Sequence, residues 1–285
     1  RLLEVPKRPL KIIQRQLLTE LLEKIPTHPA AHAFVPGRST LTNALPHCGQ
    51  PILLRFDLAD FFPSISAARI FRLFCTLGYP HRTAHLLTSL CTTTLPLHTW
   101  ESRPNAKLGA DHDLYQRLLT RHLPQGAPTS PALANLAAHR LDRRLSALAT
   151  KLHATYTRYA DDLTFSGPAS LAAALPRLAP LIGAIATDEG FTLNHRKTRL
   201  MRASVRQHTA GLPVHQKPTL PRAQFDRLKA ILTNCLRHGP TSQNRSHHPN
   251  FRAQLQGHLA HLASVHRTKA AKLQNLFTQI QWPSP

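Results

Sequence analysis

The stretch Tyr156-Thr157-Arg158-Tyr159-Ala160-Asp161-Asp162-Leu163-Thr164-Phe165 decides how this chain is read. Its aromatic and β-branched residues have the pattern of a buried strand, yet it carries two adjacent aspartates. Aspartate is depleted from strands. An ionised carboxylate in apolar surroundings is costly unless it is paired or binds a metal, and a second like charge beside it adds repulsion. One account of the pair is a solvated hairpin tip, and the pair alone does not exclude it.

A second segment of the same kind lies about 100 residues upstream: Leu53-Leu54-Arg55-Phe56-Asp57-Leu58-Ala59-Asp60-Phe61-Phe62-Pro63. It too reads as a buried strand bearing a carboxylate, Asp57. Brought together, Asp57, Asp161 and Asp162 would form a carboxylate cluster for two divalent ions. Such ions sit roughly 3.5–4 Å apart and clamp the attacking and leaving oxygens of an in-line phosphoryl displacement. Mg²⁺ suits a site of oxygen ligands completed by substrate phosphates.

The rest of the composition agrees with a polyanionic partner. The chain of 285 residues has 36 Lys+Arg against 14 Asp+Glu, a formal net charge of +22. Its hydrophobic content of 42% excludes a disordered basic tail. Nucleic acid is the leading partner for such a charge. An anionic membrane surface is the weaker one, since no apolar run reaches the 18 residues a bilayer span needs and no basic amphipathic helix dominates. The reading is therefore of no membrane association and a cytoplasmic location. No signal peptide is evident, although the chain starts at Arg1 without a Met. Cys48, Cys75, Cys91 and Cys235 form no CxxC pair, which points to free thiols in a reducing compartment. The 19 histidines include no HExxH motif and read as supplementary basic groups.

The motifs, taken in order, resemble the palm of a reverse transcriptase. Tyr159-Ala160-Asp161-Asp162 is similar to the YxDD box, and Phe56-Asp57 to Phe62 to the upstream metal-binding motif. Leu123-Pro124-Gln125-Gly126-Ala127-Pro128-Thr129-Ser130-Pro131 is similar to the PQG box, and Asn194-His195-Arg196-Lys197-Thr198 to the basic segment after YxDD. Outside the palm the resemblance is to bacterial retron reverse transcriptases. It runs through Arg1 to Pro6 and Leu10-Lys11-Ile12-Ile13-Gln14, through the NAxxH signature at Asn43-Ala44-Leu45-Pro46-His47, and through Lys272-Leu273-Gln274-Asn275-Leu276-Phe277. Two departures stand out. The family's VTG motif is replaced by Gln207-His208-Thr209-Ala210-Gly211-Leu212, and Thr92 to Arg121 looks longer than usual. The start at Arg1 falls inside the fingers, so an N-terminal piece is expected to precede it.

This resemblance implies an α+β, right-hand polymerase: helical fingers (1–50 and 67–122), an RRM-like antiparallel β palm (51–66 and 123–212) and a helical thumb (213–285). It implies that Asp57 and Asp161 reach both metals, that Asp162 is less direct, and that the backbone carbonyl of Leu58 faces an ion. Asp60 reads as structural, capping or salt-bridged, with a direct role at the metals as the lesser alternative. Phe62, five residues after Asp57, would face away on a straight strand; a turn at Phe62-Pro63 bends it back, and the family places there a steric gate against the ribose 2′-OH. Gln125 and Gly126 would touch the dNTP, Gly126 by permitting close backbone approach. Ser130 reads as an N-cap and Pro131 as the first residue of a helix running to about Ala149. Arg1 and Lys11 would lie near the triphosphate or the template backbone, and Lys197 would neutralise phosphate charge.

Asn43 and His47 either contact RNA or form a buried hydrogen-bonded pair holding fingers to palm. In the thumb, Arg252, Lys269 and Lys272, with His258, His261 and Arg267, lie opposite the leucine stripes and suit phosphate contacts. The implied activity is an RNA-directed DNA polymerase of retron type. Its partners would be dNTPs, a structured noncoding RNA that serves as template and primer, an RNA–DNA hybrid product and an effector protein in defence against phage. Two alternatives remain open: another bacterial reverse transcriptase (defence-associated, diversity-generating or intron-derived), and a non-catalytic RNA-binding protein with a fossil palm.

Overall fold

Leu54, Phe56 and Leu58 alternate along one strand with Leu53, Arg55 and Asp57, and this alternation sorts the sheet into two faces. A computed structural model describes residues 2–101 and 112–282; Arg1 lies outside the described residues. In chain order the elements are α1 (Arg8–Glu20), α2 (Thr40–Ala44), β1 (Ile52–Ala59), α3 (Ala67–Thr76), α4 (His81–Cys91), α5 (Leu97–Glu101), α6 (His112–Leu119), α7 (Ser130–Ala137) and α8 (His139–Lys151). There follow β2 (Thr155–Tyr159), β3 (Asp162–Gly167), α9 (Ser170–Asp188), β4 (Thr192–Leu193), β5 (Arg199–Arg202), β6 (His208–Thr209), β7 (Leu212–Pro213), α10 (Arg222–His238), α11 (Phe251–Val265) and α12 (Arg267–Thr278). The α+β class expected from the sequence is what these elements form.

The chain divides into two units, Arg1–Ser39 with Gln50–Arg202, and Thr40–Gly49 with Ala203–Pro285. The first is built on an antiparallel sheet in the order β2-β3-β1. The free side of β1 is shared by β4 at Leu58–Ala59 and β5 at Ile52–Arg55. Ile52, Leu54, Phe56 and Leu58 enter one core with Leu163 and Phe165 of β3, Leu133, Leu141 and Leu145 of α7 and α8, and Ile182 of α9. Burying side chains of this size contributes roughly 1.5–3 kcal/mol each. The other face of β1 carries Leu53, Arg55 and Asp57; it is buried at Leu53, and the charged side chains gather toward the Asp57 end.

Several expectations are corrected by this unit. The helix anticipated from Pro131 to Ala149 is broken at Ala138 into α7 and α8. At the break Arg69 Nη2 donates to the Ala137 carbonyl at 2.6 Å, taking an acceptor that a continuous helix would use. Ser130 is the first residue of α7, and its N-cap is Thr129, with no side-chain capping bond. Among the described residues one helix, α9, is after all long and apolar enough to cross a membrane by length and composition. Pro176, Arg177 and Pro180 interrupt the apolar run to the eye without lowering the average below that of a span. Its Leu171, Leu178 and Ile182 pack into the core under the sheet.

The second unit has its own core, in which Leu228 and Leu232 of α10 meet Leu255, Leu259 and Leu262 of α11 and Leu273 and Phe277 of α12. The leucine stripes anticipated for three helices are the ones buried, and α10 ends at Gly239 with φ +79°, where glycine is favoured. Two segments group differently from the expected boundaries. Thr40–Gly49, read with the fingers, and Ala203–Leu212, read with the palm, both belong to this unit. Asn43 Nδ2 donates to Thr209 Oγ1 at 3.2 Å, and Gly49 N donates to the His215 carbonyl at 2.6 Å. Asn43 and His47 are completely buried. Direct RNA contact through either side chain is therefore corrected in favour of burial, but the bond of Asn43 runs to Thr209 inside the second unit and does not join fingers to palm. The pair belongs to the second unit, and the bond of Asn43 runs to the stretch that replaces VTG.

Candidate active site

β1 and β3 pair so that Asp57 lies directly opposite Asp162. Residues opposite one another in an antiparallel pair share a face, so the register places two carboxylates side by side on the face that carries Arg55. β2 and β3 form a hairpin closed by Ala160 and Asp161. Ala160 has φ +55°, an uncommon conformation for a residue other than glycine. The tip is docked on β1, because Leu58 N donates to the Asp161 carbonyl at 2.9 Å. The hairpin-tip reading is thus correct as topology. It is incomplete as chemistry, because Asp57, Leu58, Asp161, Asn194 and Lys197 line a single cavity of about 240 Å³.

Each carboxylate has a distinct environment. Asp57 is nearly buried and accepts from Lys197 Nζ through both oxygens, at 2.9 and 3.1 Å. Asp162 is held by a two-pronged bond from Arg55, Nε to Oδ1 at 2.7 Å and Nη2 to Oδ2 at 2.8 Å. Asp161 has its carboxyl pushed above the ordinary aspartate value. Burial is the main cause and the charges of Asp57 and Asp162 add to it, while a backbone hydrogen bond and Lys197 act the other way. Asp60 bonds to Arg117 at 3.2 Å, in the salt-bridged structural role anticipated for it.

The expected three-aspartate cluster is not closed in this arrangement. Among the described residues no group of three or more His, Cys, Asp or Glu side chains converges as a metal set. The physical reason is pairing: Arg55 draws the carboxylate of Asp162 and Lys197 caps that of Asp57. The donors present still suit a hard divalent ion. Asp57 and Asp161 offer carboxylate oxygens in one cavity, and an ammonium already lies against Asp57. Magnesium-type ions are commonly held by one or two carboxylates with substrate phosphates.

The other anticipated residues fall as follows. The backbone turns after β1 at Asp60, φ +48°, which brings half-buried Phe62 back to the cavity wall. Phe61 is buried and stacks on Phe191, ring centroids 5.6 Å apart. Gln125 lines the same cavity, and its carbonyl accepts from Glu4 N at 2.8 Å. Gly126 has φ +128°, and a Cβ there would meet Val5 Cγ2 at 3.3 Å. The close backbone approach expected at this glycine is made by the segment around Glu4 and Val5. Lys11, on α1, does not line the cavity. In the second unit Arg252 lies over Trp282 at 5.9 Å and Lys269 over Phe225 at 5.4 Å, while Lys272 is exposed. Two of the three cations expected on phosphate therefore also pack on aromatic rings.

Several residues around the site were not singled out from sequence. Arg55 was legible, two residues before Asp57 and so on the same face of a strand. Glu4, at the cavity, bonds the buried His122 at 2.9 Å across 118 residues, a contact no local pattern announces. Phe34, exposed at φ +61°, places its ring 6.2 Å from that of Phe62. Arg158 and Asp142 form an ion pair with both side chains fully buried.

Comparison with known proteins agrees with this geometry. The family described as reverse transcriptase (RNA-dependent DNA polymerase) matches residues 1–219. The chain is 40% identical to the Retron Mx65 reverse transcriptase of Myxococcus xanthus, over 96% of this chain and 60% of that protein. It is 38% identical to the Retron Mx162 reverse transcriptase of the same organism, over 96% and 56%. To the Retron Ec86 reverse transcriptase of Escherichia coli it is 33% identical, over 79% and 62%. The chain thus spans about 60% of the length of these curated relatives. Motif order, an antiparallel sheet bearing opposed aspartates and a family match over most of the residues converge on one conclusion: the chain belongs to the reverse transcriptase family and is similar over nearly its whole length to the reverse transcriptases of retrons.

Proposed function

We propose that this chain carries the polymerase of a retron-type reverse transcriptase, which extends a primer with dNTPs on a structured RNA template. The single observation that supports it most is the register placing Asp57 opposite Asp162, with Asp161 and Lys197 at one cavity walled by Phe62 and Gln125. In this reading the first unit supplies palm and fingers and the second supplies the thumb. Two Mg²⁺ ions, held by Asp57 and Asp161 with Asp162 beside them, would supply charge stabilisation to the attacking and leaving oxygens.

The chain's own residues do the rest. Asp57 and Asp161 concentrate negative charge on an otherwise basic protein and so select a cation at one point. Arg55 holds Asp162 and keeps a third unpaired carboxylate from the site. Lys197 balances Asp57 and is placed to meet phosphate when a cation takes its position there. Phe62 presents an aromatic ring where a sugar edge would lie, and Gln125 offers an amide on the same wall. The basic faces of α11 and α12 suit a duplex held through its backbone.

The test is nucleotide incorporation by the purified protein with its co-purifying RNA and Mg²⁺, beside the Asp161→Ala/Asp162→Ala double variant. Incorporation by the first and none by the second is expected. Equal incorporation by both would remove the site assignment. No incorporation by either on any RNA template would favour an RNA-binding role.

A further inference from the structure

We propose that the buried Asp142–Arg158 pair is a clamp that sets the conformation of the β2–β3 tip and thereby aims the Asp161 carboxylate. The inference rests on the nucleotidyl-transfer reading above and names positioning residues for it. Arg158 is the last residue but one of β2, its guanidinium lies over the Phe61 ring at 5.6 Å, and its hydrogen-bond acceptors belong to the tip or to the helix beneath. Its Nε donates to Asp142 Oδ1 at 2.8 Å and its Nη2 to Asp142 Oδ2 at 2.7 Å. Its remaining terminal nitrogen, Nη1, donates to the Ala160 carbonyl at 3.0 Å. The guanidinium therefore joins the rigid α8 to the peptide immediately before Asp161.

Three features argue that this is more than packing. First, Ala160 holds φ +55° without being glycine, so its conformation must be imposed by neighbours. Arg158 fastens its carbonyl, and the next carbonyl, that of Asp161, is fastened by Leu58 N. Second, a fully buried ion pair is weak evidence for stability, since well-packed apolar residues commonly serve as well or better. This one carries a third partner, the Tyr156 hydroxyl, which donates to Asp142 Oδ1 at 2.9 Å, so the carboxylate is held in a single orientation. Third, the backbone of Arg158 is itself pinned: its N donates to the Ala30 carbonyl at 2.7 Å and its carbonyl accepts from His32 N at 2.8 Å. The same loop is tied to α7 by Asn135 Nδ2 bonding the Ala33 carbonyl at 2.8 Å. The base from which the clamp reaches the tip is thereby fixed on two sides.

The decisive variant is Arg158→Lys, which can pair with Asp142 but cannot also reach the Ala160 carbonyl. Two quantities are read beside Tm: Mn²⁺ affinity of the free protein by electron paramagnetic resonance, and kcat and KM for dNTP. With Tm within a few degrees of wild type, Mn²⁺ binding is expected to weaken about tenfold, as when groups orienting metal ligands are removed. The expected fall in kcat is about a hundredfold with KM little changed, as for a misplaced reacting group. Should Arg158→Lys fail to fold, the double variant Asp142→Leu/Arg158→Met keeps an apolar filling and is expected to show the same two losses. Wild-type Mn²⁺ affinity and kcat in a folded variant, or a loss confined to Tm, overturns the clamp. Wild-type protein that binds Mn²⁺ but incorporates no dNTP overturns the polymerase reading instead, and the Mn²⁺ affinities of the variants still decide the clamp.

Discussion

Lys197 Nζ contacts both oxygens of Asp57, although 140 residues separate them and the lysine side chain is half exposed. A cation is thus already seated on the first aspartate of the site, delivered by the short basic turn after β4. Any divalent ion that binds Asp57 competes with this ammonium. In Lys197→Met the competition is gone, so Mg²⁺ should raise Tm more than it does in wild type, because ligand binding to the native state alone adds stability. Thermal shifts with and without Mg²⁺ measure this, and equal shifts would contradict it.

Asp161 makes the opposite prediction about stability and activity. Burial, reinforced by Asp57 and Asp162, raises its carboxyl above the usual value of 3.8. The folded state then binds the proton more tightly than the unfolded state. The stability Asp161 contributes is complete below that usual value and is lost as pH rises through the folded one. In metal-free buffer at pH 7, Asp161→Asn should therefore melt at or above the wild-type temperature while incorporation falls to background. The Tm difference should close in acid. A lower Tm for the variant at pH 7 would show that ionised Asp161 is not the burden its surroundings imply.

Phe62 reaches the cavity only because the chain reverses at Asp60. Replacing it with Ala opens space on the wall that holds Asp57 and Gln125. The preference for dNTP over rNTP, taken as the ratio of kcat/KM values, should drop about tenfold or more, equivalent to roughly 1.4 kcal/mol of discrimination. Phe61→Ala should chiefly lower Tm, since that ring is stacked on Phe191 in the core, with a smaller drop in the ratio because the same ring supports Phe62, 5.5 Å away.

His122 links the cavity to pH. Burial alone would lower its pKa, but the hydrogen bonds to Glu4 and to the Thr120 carbonyl, with the charge of Glu4, more than offset this and raise it above 6.5. The stability from the charged pair is full below pH 6.5 and is lost as pH rises through the folded value. Glu4→Gln should remove this contribution. Wild type should exceed the variant in Tm at pH 6 by more than at pH 9, and a difference independent of pH would refute the pairing. Because Glu4 N also holds the Gln125 carbonyl, any dependence of KM for dNTP on the same variant reports on that wall.

The catalytic candidates were legible because each broke a local rule. Asp57, Asp161 and Asp162 are carboxylates inside strand patterns, and their order with Gln125-Gly126 and Lys197 pointed to one family. The leucine stripes of α10, α11 and α12 and the stop at Gly239 were equally readable, since helix periodicity and a positive-φ glycine are local properties. Asn43 and His47 stayed undecided for the same reason. A polar pair four residues apart looks identical whether it faces solvent or is buried, and only the bond to Thr209, 166 residues away, shows which.

By itself, then, the sequence determined the element types, the family and the three aspartates, all of which follow from side-chain chemistry read at short range. Tertiary structure alone decided how those aspartates are partnered. Arg55 takes Asp162 across β1 and β3, Lys197 takes Asp57 from another strand's turn, and Arg158 reaches from Asp142 to the peptide before Asp161. Each is a pairing of charges set by strand register and helix placement. Register depends on which faces are buried together across the whole sheet, and no window of sequence contains that information.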